Sequence, residues 1–314
     1  MYSSHCRSRA RIDPVIPKLV LAGILCLGAG CSIKKLAINS VADALATSGS
    51  VYAVDDDIQL VGDATPFGLK TIEGLLQQAP KHRGLLLSAS RGFTQYAYAY
   101  VQLPADVLED YDVLAAYRDR QRARRLYLRA RDYGLRALDV AHPGFSDTIF
   151  EDATGAITTT IETDVAALYW TAASWAAAIS LGKDLPHLIA GLPLVEALIE
   201  RALQLDESYG AGAIHNFLIS YEMSRPIPQN ERVSKALKHM KRALDLSNGQ
   251  HAGPYVAYAE AVSVTTQNRE EFENLLTEAI SIDPAAVTEW TLVNHIMQRR
   301  ARWLMSRTDH YFLD

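Results

Sequence analysis

Three stretches of the C-terminal half place apolar side chains in one register: Val195, Ile199 and Ala202; Ala236, Met240 and Ala243; Phe272, Leu276 and Ala279. Steps of four and three residues put each trio on one helical face, a stripe meant for burial. The alanines open three similar segments, Ala202-Leu-Gln-Leu-Asp206, Ala243-Leu-Asp-Leu-Ser247 and Ala279-Ile-Ser-Ile-Asp283, at separations of 41 and 36 residues. Each then passes Gly210, Gly253-Pro254 or Pro284 into a second run rich in aromatic and small residues. That alternation predicts helical hairpins stacked side by side. Ala137-Leu-Asp-Val-Ala-His-Pro143 is a degenerate earlier copy, 65 residues ahead of Ala202, so the array is interrupted.

The N-terminal half also reads as helices. Thr65 followed by Pro66 has the form of an N-cap and first helical residue, with Leu69, Ile72, Leu75 and Leu76 as the apolar face. Further segments are predicted from about Gly84 to Gln102 and from Pro104 to Val140, the latter closed by His142-Pro143-Gly144. Residues 144–163, rich in Thr, Gly and acidic side chains, read as a long loop, and Ile157-Thr-Thr-Thr-Ile161 is the sole strand-like run. The expected fold is all-α: one continuous domain, a superhelix of hairpins resembling tetratricopeptide repeats, over residues 31–314.

The first thirty residues form a different kind of segment. Arg7, Arg9, Arg11 and Lys18 precede the apolar run Leu19–Leu27, and Gly28-Ala29-Gly30 leads to Cys31. This is the pattern of a secretory signal, too short to span a membrane comfortably. Small residues before Cys31 suggest lipoprotein processing over residues 1–30, with Cys31 acylated; Gly28 occupies the place where leucine is usual. Cleavage would also remove Cys6 and Cys26, leaving Cys31 as the sole cysteine. Ser32 after the cysteine would favour the outer membrane in a Gram-negative envelope. An ordinary cleaved signal is the alternative.

Composition narrows the chemistry. With 49% apolar residues the chain can bury a core, and its net charge of −5 argues against a nucleic-acid binder. No paired cysteines, His-Glu-x-x-His, nucleophile elbow or phosphate loop occurs, so neither an enzyme nor a cofactor is expected. Gly210-Ala-Gly212 begins like a dinucleotide fingerprint but lacks the third glycine and the preceding strand. The arginines from Arg118 to Arg131 are interleaved with Asp119 and flanked by Asp110, Asp112 and Asp132, which describes a solvated helix face with local ion pairs.

Aromatic residues are the better candidates for a site. Tyr96 and Tyr100 share a helical face, and Trp170 and Trp175 lie in a segment of small residues that lets helices approach closely. His215 and Glu222 are seven apart on one face, and Tyr255 and Glu260 follow Gly253-Pro254. Together these eight could line an apolar cavity with a few polar anchors.

Several segments taken in order resemble the T component of TRAP (tripartite ATP-independent periplasmic) transporters. They are Ala137–Phe145, Tyr169–Ile179, Leu192–Leu198, Ala213–Phe217 with Tyr221-Glu222, Gly253–Val256 with Ala259-Glu260, and Gln298–Leu304, so the likeness covers roughly residues 31–314. The resemblance implies a periplasmic, membrane-anchored lipoprotein that assembles as a homotrimer, docks the solute-binding P component and handles a hydrophobic or lipid-like ligand. Two rival readings follow from the residues alone: a repeat scaffold of the envelope that binds only proteins, and an envelope hydrolase with dispersed catalytic residues.

Overall fold

The computed structural model describes residues 1–2, 40–44 and 49–312. Residues 1–30 as a signal segment and Cys31 as a lipidation site lie outside the described residues, apart from Met1 and Tyr2. From Ala42 onward the described residues form one compact unit. Its regular structure is helical, with no strand among the described residues.

The chain enters through α1 (Gly49–Ala53) and α2 (Ile58–Gln78). The start expected at Thr65-Pro66 is not where this helix begins: both residues sit inside α2, and the N-cap is Asp57, whose carboxylate accepts from the Leu60 amide. A proline inside a helix costs one backbone donor, and Thr65 Oγ1 donates back to the Val61 carbonyl at 2.6 Å. The apolar face of α2, with Val61, Leu69 and Leu76 buried, outweighs that local signal.

α3 (Arg83–Ala97) runs without a break into a π-helical turn, Tyr98–Gln102, and then α4 (Leu103–Leu108). α5 (Val113–Ala141) is capped by Asp112, whose carboxylate accepts from the Ala115 amide. The expected tract from Pro104 is thus two helices with a turn between them. The expected loop after Pro143 is also helical: α6 (Phe145–Glu151) and α7 (Ala153–Thr158) fill it, and the strand-like run falls at the end of α7 and the turn beyond. The physical reason is stapling by distant residues. Buried Asp164 accepts from Arg83 and lies 2.7 Å from His142 Nε2, while Arg201 donates to the Thr160 carbonyl at 2.6 Å.

α8 (Val165–Ser180) packs against α3 and α5 to form the main core. Its approach to α5 is close enough that a Cβ on Gly134 would stand 2.2 Å from Thr171 Oγ1 and 3.0 Å from Ser90 Oγ. The short α9 (Pro186–Ile189) leads to the repeats: α10 (Leu192–Leu205), α11 (Tyr209–Ser224), α12 (Gln229–Leu246), α13 (Gly253–Tyr258) with a second π-helical turn at Ala259–Ser263, α14 (Arg269–Ser281), α15 (Thr291–Met305) and α16 (Thr308–Tyr311). All nine stripe residues, from Val195 to Ala279, are buried. This is an all-α helical-repeat fold.

The array returns to its own beginning. α15 packs against α1 and α2, the Tyr98 hydroxyl donates to Met297 Sδ at 3.9 Å, and Arg299 donates to the Ala99 carbonyl. Arg300 is buried at this seam, pairing with Asp106 of α4 at 3.2 Å and with Glu260 of the second π turn, and stacking on Trp303. Arg307 pairs with Asp110, just past the end of α4. Both π turns therefore lie where the first and last helices meet.

Candidate functional site

Closing the array leaves a cavity of about 400 Å³ between its two ends, within the size range of small-molecule sites. One wall is α2 and α3 with the first π turn, another is Tyr169 and Trp170 of α8, and the end of α1, the starts of α11 and α13 and the face of α15 complete it. Tyr96 and Tyr100 stack with ring centroids 5.7 Å apart; Tyr169 meets Trp170 edge-on at 5.0 Å and Tyr209 at 5.4 Å. Such offset and edge-on rings form a firm apolar lining. A Cβ on Gly62 would sit 2.6 Å from the Tyr100 ring, so only glycine lets α2 come this close.

The wall also carries polar side chains, among them Thr65, Ser88 and Gln95. Burial pushes the Tyr100 hydroxyl up to about 12 and raises those of Tyr98 and Tyr169, so all three stay protonated at neutral pH. Asn216, His251 and Arg91 also face this space, with Glu289 exposed at the rim. The Gly210-Ala-Gly212 stretch that begins like a dinucleotide fingerprint is instead a left-handed entry to α11, with φ of 58°, 51° and 94°, and its backbone lines the cavity.

Of the eight residues singled out by sequence, Tyr96, Tyr100 and Trp170 come together at this cavity. Trp175 stands elsewhere, in the core, against Phe150 and beneath Arg131. Five residues past Trp170, it points away from the cavity-facing side of α8. His215 and Glu222 are buried on α11 but do not line the cavity; Glu222 pairs with Arg225. Tyr255 packs in the C-terminal core and Glu260 is held by Arg300. Tyr98, Tyr169, Tyr209, Met297 and Arg91 were not singled out. Tyr98 lies off the face shared by Tyr96 and Tyr100, and it meets the cavity because α15 wraps round to its side.

Next to the cavity-lining Asn216, His215 Nδ1 lies 2.9 Å from His239 Nδ1 of α12, which requires one ring to donate and the other to accept. Burial holds both rings below the ordinary histidine range; His239 falls to about 4, helped by the His215 and lysine charges, and burial takes His251 to about 4 as well. Because the folded values are depressed, the unfolded chain binds more protons between about pH 6.5 and 4. The stabilisation is complete above pH 6.5 and is lost as pH falls through that window. The expected loss is on the order of 2 kcal/mol after allowing for solvent screening. Melting curves from pH 7 to 4.5 check it: His239→Gln should flatten the decline, and an equal slope in both proteins would refute the assignment.

Among the described residues no helix is long and apolar enough to cross a membrane, and no group of three or more His, Cys, Asp or Glu side chains could hold a metal ion. Of the seven arginines from Arg118 to Arg131, three form ion pairs among the described residues: Arg120 with Asp106 and Glu109, Arg129 with Glu73 and Arg131 with Asp132. Arg122 donates to the Tyr96 hydroxyl at 3.3 Å.

A protein of Treponema pallidum (strain Nichols), described as an uncharacterized protein, is 33% identical over 315 residues, covering 93% of this chain and 95% of its own. The family model of the TRAP transporter T-component matches residues 54–312, a span that includes every helix lining the cavity except α1. That family is an accessory component of a transporter rather than a family of enzymes. The chain belongs to the TRAP transporter T-component family.

Proposed function

We propose that this accessory component works at the periplasmic side of the envelope, anchored as a lipoprotein through Cys31, where it docks the solute-binding P component and holds or passes a hydrophobic ligand. The observation that carries the reading is the aromatic cavity formed where the two ends of the array meet. A sheltered apolar chamber suits a ligand with little affinity for water. A homotrimer belongs to the same reading and rests on the family resemblance.

The surface best suited to docking is the corner between α4 and α5. Tyr111, Val113, Leu114 and Tyr117 cluster there within seven residues, with Tyr111 at 84% and Leu114 at 71% exposure. Exposed apolar groups gathered in this way mark interaction sites, and Arg118 beside them has no acidic partner among the described residues.

Passing periplasmic extract over the immobilised full chain, and identifying what stays by mass spectrometry, tests both parts. Retention of one solute-binding protein is expected. The double variant Tyr111→Ala with Leu114→Ala should weaken it by roughly 10-fold or more while leaving the melting temperature unchanged. Retention of many unfolded chains and no binding protein would replace this reading with the envelope scaffold.

A further inference from the structure

The described wall of the cavity carries one arginine, Arg91, that forms no ion pair with another described residue. Arg91, in the middle of α3, is half-buried and lines the cavity beside Tyr209. It makes no hydrogen bond or ion pair and lies over no ring among the described residues. Its counterparts nearby are engaged: Arg83 with Asp164, Arg120 with Asp106, and Arg129 with Glu73. The acid on the same cavity, Glu289, stands exposed at the rim and forms no ion pair with Arg91.

A guanidinium set among aromatic rings is costly to cover with an apolar ligand, because its five donors lose water and gain nothing. An anion reverses that cost, and carboxylate and phosphate both match the planar fork. Two hydroxyls on the same lining, those of Tyr100 and Tyr169, keep their protons and can donate. The Tyr100 hydroxyl and Asn216 Oδ1 are buried without a partner among the described residues, two further polar atoms that the chain itself leaves unmatched. The same lining carries the apolar side chains of Leu69, Ile72, Trp170 and Met297.

We infer that the cavity takes an amphiphilic anion, its acidic head on Arg91 and its apolar body among the aromatic rings. This rests on the reading that the cavity holds a ligand, and it names the chemical class. A free fatty carboxylate and a single-chain phospholipid with a phosphate head share the required chemistry.

The test measures binding of a fluorescent polyene fatty acid and of its methyl ester to the purified full chain at pH 7.5, with a lysophosphatidate as competitor. The acid should bind roughly 10-fold more tightly than the ester. Arg91→Gln should reduce that preference to less than about 2-fold by weakening the acid alone, Arg91→Lys should keep part of it, and neither should shift the melting temperature. Stronger competition by lysophosphatidate than by unlabelled fatty acid would identify a phospholipid source, and the reverse a free carboxylate; both support the inference. Equal binding of acid and ester, or a preference that survives Arg91→Gln, overturns the inference and leaves the cavity reading intact. Binding of neither probe overturns both.

Discussion

Arg300→Met is expected to destabilise the fold by about 3 kcal/mol and to lower the melting temperature by roughly 6–12 °C. Arg300 is the side chain on which the seam converges: it meets Asp106 from α4 and Glu260 from the second π turn, and it lies over Trp303 at 4.3 Å. Its removal leaves two carboxylates facing a seam largely closed to water. Breaking one partner of a buried ion pair costs about 3–5 kcal/mol, and the lower end applies because Asp106 keeps Arg120 and Glu260 is partly solvated. Arg300→Lys retains the charge but cannot span both acids with a planar fork, so an intermediate loss is expected. Thermal unfolding of the two variants measures this directly. A change below about 1 kcal/mol for the methionine variant would mean that apolar packing alone closes the array.

Gly212→Ala is the second large effect, expected at about 3 kcal/mol or more. Gly212 has φ of 94°, and a Cβ there would stand 2.9 Å from Ala243 Cα and 3.2 Å from the Ala243 carbonyl oxygen. Backbone atoms cannot rotate aside, so α11 and α12 must separate where the cavity wall begins. Gly210→Ala provides the contrast. Its φ of 58° lies in the left-handed region, but the atom met is the Ala213 methyl, so a cost of about 1–2 kcal/mol is expected. Urea unfolding of both variants distinguishes close approach from backbone strain. Equal losses would show that strain alone accounts for the cost at Gly212.

Much of the fold was legible in sequence because it is recorded locally. The stripe Val195, Ile199, Ala202 and its two echoes required only a 3.6-residue period, and all nine positions are buried. Errors came where other interactions outweighed a local signal. Thr65-Pro66 looks like a helix start, yet Asp57 and the apolar face carry α2 through it. The segment after Pro143 has a loop's composition, yet Arg83, His142 and Arg201 hold its far end in place.

The site was less legible because its walls come from distant parts of the chain. Tyr96, Tyr100 and Trp170 could be nominated as aromatics on helical faces, but so could Trp175, which the core absorbs. By itself the sequence determined the helices, their buried stripes and their repetition, because periodicity and capping act within a few residues. The tertiary structure alone decided that the array closes, which aromatics face the sheltered space, and that Arg91 is left there without a partner among the described residues. Those outcomes depend on Tyr98 meeting Met297 and Ala99 meeting Arg299. A small rotation at each hairpin, summed over the whole array, brings such distant residues together, and no single repeat records that sum.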